Sequence, residues 1–120
     1  MMHIRPTALF VAAALALGCT SSTAPSSNAD TFGGSATALT VDVTMPSTVY
    51  NPNHIDILHG GVVNFVFASL AHDVRFSGSG APADILATTS TTVTRTFTTV
   101  GTFTFLCTLH ANMTGTVVVH

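Results

Sequence analysis

Cys107, His110 and Met113 stand at C-x2-H-x2-M spacing within the stretch Thr102-Phe-Thr-Phe-Leu-Cys-Thr-Leu-His-Ala-Asn-Met-Thr-Gly-Thr-Val-Val-Val-His120. A thiolate, an imidazole and a thioether this close together form a metal-ligating set. Thiolate and thioether select soft ions and imidazole is shared by several metals, so the trio suits copper. One imidazole leaves the set incomplete. The best placed candidate for a second is His72, in Ala71-His-Asp-Val-Arg-Phe76. Two imidazoles and a thiolate would then be the strong donors, with the thioether long and weak.

The cysteine count supports the same chemistry. There are two, Cys19 and Cys107. If processing consumes Cys19, Cys107 is an unpaired thiol in an exported chain, which calls for an explanation that metal ligation supplies. A buried thiol acting as a small hydrophobe is the common alternative, but it has no need of His110 and Met113 at ligand spacing. The remaining histidines are read as non-ligands. His3 lies in the leader, and His120 is expected to be solvated. His54 and His59 are an odd number of residues apart and would face opposite sides of a regular strand. Met45 lies on an alternating apolar run and is read as core filling.

The elements that position the candidate ligands are strands. Phe103, Phe105 and Cys107 share one face by period two, as do Met113, Gly115, Val117 and Val119. If both faces turn inward, Cys107 and Met113 point into the same end of the core. Upstream, Leu39, Val41, Val43 and Met45 alternate with polar residues, and Asn51-Pro52-Asn53 marks a loop. Ile55 and Ile57 form a short strand ending at Gly60-Gly61. The nearly continuous apolar run from Val62 to Ala68 predicts a central strand covered on both faces. His72 to Phe76 is a further strand, Ser77 to Asp84 a surface loop, and Thr92 to Thr98 a strand whose Arg95 sits on an exposed face or at a rim. Short strands separated by Gly and Pro turns predict a β-sandwich or barrel with little or no helix.

These residues resemble the cupredoxins, and among them the plastocyanin-like and amicyanin-like small blue copper proteins. The resemblance rests on Tyr50-Asn-Pro-Asn-His-Ile-Asp-Ile, Gly60-Gly-Val-Val-Asn-Phe, Ala71-His-Asp-Val, Val100-Gly-Thr-Phe-Thr-Phe-Leu-Cys-Thr-Leu-His-Ala-Asn-Met and Thr114-Gly-Thr-Val-Val-Val, from about Leu39 onward. The short C-x2-H-x2-M loop is similar to that of the amicyanins. What the resemblance implies is an all-β, Greek-key sandwich of roughly seven or eight strands. It implies one type-1 copper per domain held by His72, Cys107, His110 and a weak axial Met113. It also implies one-electron transport by a monomer, with redox partners such as a c-type cytochrome or an oxidase. The family usually has Asn after its first ligand His, and here the residue is Asp73. Its backbone amide can still serve the Cys sulfur, while its charge bears on the reduction potential.

The same ligands leave copper storage, delivery or buffering open as an alternative. A carrier must keep its metal whereas a chaperone must release it, and the paired Cys or Met-rich tracts common in chaperones are absent. Catalysis is not expected, because a multicopper catalytic centre needs many more histidines, usually as His-x-His.

Charged residues make up only 7% of the chain, with Arg5, Arg75 and Arg95 as the cations and no Lys or Glu. A nucleic-acid groove is excluded on that ground. Residues 1–18 read as a signal peptide, since the apolar run Ala8 to Leu17 is too short to span a bilayer. Leu15-Ala-Leu-Gly-Cys19 resembles a bacterial lipobox, with ordinary cleavage after a small residue as the alternative. Residues 19–35 are expected to be a lipidated Cys and a flexible Ser/Thr-rich tether, and residues 36–120 the copper-binding domain. That predicts an exported protein, periplasmic or at the cell surface, with membrane contact through a lipid anchor at Cys19.

Overall fold

Strand alternation decides which side chains enter the core. In the computed structural model, which describes residues 32–34 and 38–120, Val41, Val43 and Met45 are buried while Thr40, Asp42 and Thr44 are exposed. The signal peptide, Cys19 and the rest of the expected tether lie outside the described residues.

The elements are β1 (Phe32–Gly34), β2 (Thr40–Thr44), β3 (His54–Ile57), β4 (Val62–Phe67), β5 (His72–Ser77), β6 (Ile85–Thr88), β7 (Thr91–Thr96), β8 (Gly101–Leu106) and β9 (Thr114–Val119). They form an all-β sandwich. One sheet has six strands in the order β1-β3-β9-β8-β5-β6, and the other has three in the order β2-β4-β7. The expected central strand is β4, yet only one of its faces is covered: Val63, Phe65 and Phe67 are buried, while Val62, Asn64 and Val66 are half-buried.

Nine strands occur among the described residues, against an expectation of seven or eight. One of the additional strands is β1, which lies within the stretch expected to be tether. Phe32–Gly34 pairs in parallel with His54, Ile55 and Asp56, and Gly33 lies so close to the Pro52 ring that a Cβ there would collide with it. Composition cannot show such a contact. The other is β6, whose Ile85 pairs with Val74 and is buried whereas Leu86 is exposed. One inward side chain is too little for a pattern to register.

Between the sheets, Phe65 meets Phe76 and Phe105 edge-on, with ring centroids 5.7 and 5.6 Å apart. Tyr50 meets Phe105 at 4.8 Å. Edge-to-face contacts of this kind add about 0.5–1.5 kcal/mol beyond burial. Phe105 pairs with Gly115 across β8 and β9, and its ring fills the space a side chain at 115 would need. Arg95 lies at the rim, donating from Nε to the Ala83 carbonyl (2.7 Å) and from an Nη to that of Asp84 (2.9 Å). It holds the loop before β6 against β7.

Candidate metal centre

The strand register brings the candidate ligands to one end of the sandwich. β5 and β8 run antiparallel with Arg75 opposite Leu106, so the start of β5 lies beside the residues that follow β8. β8 and β9 pair Leu106 with Thr114, and one step further Cys107 N–H donates to the Met113 carbonyl at 3.0 Å. The intervening loop turns back through Asn112, whose φ of 61° lies in the left-handed region that Asn tolerates better than most residues.

His72 Nδ1 is 4.0 Å and His110 Nδ1 3.6 Å from Cys107 Sγ. Ligand atoms of these three residues all lie within 4.8 Å of one another, the one such group among the described residues. His72 and Cys107 are buried and His110 is half-buried. Met113, also buried, sits at the foot of the same loop. The ligand atoms of His72, Cys107 and His110 are thus gathered at one site, and Met113 is tied to it through its backbone.

The donor set fits copper. Burial and the neighbouring His110 hold the His72 imidazole below its ordinary pKa, against an opposing pull from Asp73. The ring is therefore neutral at neutral pH, as a ligand must be. Its Nε2 is buried without a hydrogen-bond partner, an arrangement that costs about 1–3 kcal/mol. A fold built for stability alone gains nothing from such a ring, whereas a site that uses Nδ1 explains its position.

Asp73 is the residue the sequence undervalued. Only 2% exposed, its carboxylate accepts from Thr108 N–H (2.7 Å), Thr108 Oγ1 (2.5 Å) and Arg75 Nε (3.1 Å). Burial pushes this carboxyl up, but the Thr108 hydroxyl and amide and Arg75 outweigh it and hold the pKa below the usual range. The Asp73 carbonyl accepts from Tyr50 Oη at 2.7 Å. Burial, with the negative charge of Cys107 and Asp73 nearby, keeps the Tyr50 phenol far above its ordinary pKa and protonated. Asp73 therefore fastens the strand carrying His72 to the loop carrying Cys107 and His110. The sequence signal for it was its position beside His72, but Thr108 as its partner could not be read.

The other histidines among the described residues lie apart from this group. His59 donates from Nε2 to the Thr98 carbonyl (2.9 Å). His120 is exposed, as expected, and also meets Asp56, Nε2 to Oδ1 at 2.6 Å, because the pairing of β9 with β3 ends beside that carboxylate.

A family model described as copper-binding proteins of the plastocyanin/azurin family matches residues 37–120. No curated protein matches the chain. Among solved structures, the reduced Cu(I) form at pH 4 of a proline-to-glycine variant of amicyanin is similar at 25% identity. That match covers 69% of this chain and 82% of that one with a TM-score of 0.58. The reduced form of a tryptophan-to-tyrosine variant of amicyanin is similar at 23% identity, covering 73% and 91%, with a TM-score of 0.61. A copper-containing nitrite reductase from Thermus scotoductus is 24% identical over 66% of this chain and 22% of that one, with a TM-score of 0.54. The last two likenesses speak to the fold.

Proposed function

The chain belongs to the plastocyanin/azurin family of copper-binding proteins, and from that premise we propose that it is a blue-copper one-electron carrier working outside the cytoplasm, and not an enzyme. In this reading His72, Cys107 and His110 would hold the copper and Met113 would add a weak thioether donor. The observation that carries it is the convergence of His72, Cys107 and His110 ligand atoms within 4.8 Å in a largely buried pocket.

Bound copper supplies a one-electron couple. The residues of the chain supply the rest. Cys107 would bind as the thiolate, and His72 and His110 would present their Nδ1 atoms. Met113 and the phenylalanines beneath keep water out. Asp73, through Thr108, holds both ligand-bearing segments in one arrangement, so that neither oxidation state requires the pocket to reorganise. Rigidity of this kind favours a carrier over a protein that must release its metal.

His110 is the half-buried ligand, and its neighbours Leu109, Ala111 and Asn112 are exposed. A small, largely neutral surface around its ring suits brief encounters with a redox partner such as a c-type cytochrome or an oxidase, since small interfaces bind weakly. Export by the signal peptide, a lipid anchor at Cys19 and a monomeric domain over residues 36–120 complete the proposal.

The test is the visible spectrum of the purified protein with one equivalent of Cu(II). The reading expects an intense thiolate-to-copper band that Cys107→Ser abolishes. A colourless complex, or a band that survives Cys107→Ser, overturns it. Copper that dissociates on every cycle of oxidation and reduction would favour copper handling over electron transport.

A further inference from the structure

A second group of donors lies on the outer face of the six-stranded sheet. His54 and Asp56 are two residues apart on β3, so both side chains leave the sheet on the same side. The parallel register of β3 with β9 sets Asp56 beside Val118, which brings His120, two residues on, to the same face. His120 Nε2 lies 2.6 Å from Asp56 Oδ1, and His54 Nε2 lies 4.0 Å from Oδ2. Two imidazoles thus approach the two oxygens of one carboxylate from opposite ends.

An ordinary ion pair uses one imidazole per carboxylate. Here two address the same group, while Arg75 and Arg95, the arginines among the described residues, are engaged elsewhere. Arg75 pairs with Asp73 (3.1 Å) and Asp84 (3.4 Å), and Arg95 binds backbone carbonyls at Ala83 and Asp84. The frame is held by backbone bonds: His120 N–H donates to the Ile57 carbonyl (3.0 Å), and His59 N–H donates to that of His120 (2.8 Å). The three side chains are 38%, 15% and 45% exposed for His54, Asp56 and His120. Solvent can therefore fill an open coordination position; the three ligand atoms are not gathered as they are around Cys107, so a common ion requires the exposed His54 and His120 rings to turn toward it. The site is separate from the copper centre, because His120 and Met113 flank opposite ends of β9, roughly 20 Å apart at ~3.3 Å per residue.

We propose that His54, Asp56 and His120 form a second metal site on the outer sheet face, taking a divalent ion of the zinc class through two imidazole nitrogens and a carboxylate oxygen. Two His and one carboxylate, with water in the fourth position, is a zinc donor set. The absence of any thiolate or thioether there separates its preference from that of the Cys107 pocket.

The experiment uses the full chain loaded with copper, equilibrated with zinc chloride, dialysed and analysed for both metals. The expected result is one further zinc per chain with the visible copper band unchanged. His54→Ala, His120→Ala and Asp56→Asn should each lose that zinc, whereas His59→Ala should keep it. The copper band reports folding in each variant. If His120→Ala loosens the end of β9, His54→Ala decides, since its ring makes the longer contact with Asp56. Wild-type protein that retains no zinc beyond its copper, or zinc uptake unchanged in His54→Ala, overturns the proposal.

Discussion

The two sheets use polar side chains in opposite ways. On the three-stranded sheet they face outward. Asn64 Nδ2 donates to Asp42 Oδ1 and Thr94 Oγ1 to Asn64 Oδ1, both at 2.8 Å, and Thr40, Thr44, Thr92 and Thr96 flank that row in exposed positions. On the six-stranded sheet, the buried polar residues His72 and Asp73 are turned into the protein. The outward grid is satisfied by its own members and by water. The inward pair is desolvated, with Asp73 compensated by Thr108 and Arg75 and His72 Nε2 left without a partner. The comparison teaches a division of labour: the small sheet closes the core and carries little chemistry, while the large sheet accepts an energetic penalty to place donors.

The largest effect that would sharpen this contrast is on the small sheet's inward face. Phe65→Ala removes a fully buried ring that contacts Phe76 and Phe105 from across the core. A stability loss of about 3–5 kcal/mol is expected in denaturant titrations. The copper band of the fraction that remains folded should keep its position, because no donor moves. A shifted band would break the division between the sheets.

On the large sheet, Asp73→Asn should act mainly on redox behaviour. Removing a fixed negative charge beside the thiolate disfavours Cu(II) relative to Cu(I), so the reduction potential rises. The expected rise is on the order of 60 mV, the one-electron equivalent of about 1.4 kcal/mol. Voltammetry showing no change or a fall would mean that Arg75 already cancels the charge.

Acid should reveal the same pair in the metal-free protein. Both His72 and Asp73 have pKa values lowered by folding, so the unfolded chain binds more protons and stability falls as pH falls. The His72 contribution is fully present above its ordinary value of 6.5 and is lost below it. That of Asp73 is lost below 3.8. Melting temperatures should therefore fall in two stages on acidification, and Asp73→Asn should remove the lower one. A single stage unaffected by that substitution would show that the network around Thr108 contributes nothing.

The smallest expected effect is back on the outward grid. Asn64→Ala breaks two exposed hydrogen bonds whose former partners regain water, so a loss of about 0.5–1.5 kcal/mol is the upper range. A larger loss in thermal melts would mean that this face is more than a solvated cover.

Much of the fold was legible because alternation is a local property. Val41 and Val43, Ile55 and Ile57, and Phe103, Phe105 and Cys107 each enter the core on the parity that their spacing predicts. The donors of the candidate centre were legible for the same reason: Cys107, His110 and Met113 lie on one short loop, and their softness is a property of the residues themselves. His72 was a matter of placement, and β6 had too few inward residues to leave a pattern.

What the chain by itself determined, then, is which side chains are apolar-facing and which atoms can bind copper. Register between distant strands decided the rest. Asp73 reaches Thr108, 35 residues away, only because β5 and β8 pair as they do. His120 reaches Asp56, 64 residues away, only because β9 lies beside β3, and Phe32–Gly34 became a strand only because an edge of β3 was open to it. A residue's own chemistry and its neighbours set its local conformation, but its partners across a sheet depend on where every intervening turn leaves the chain, and no short window of sequence contains that information.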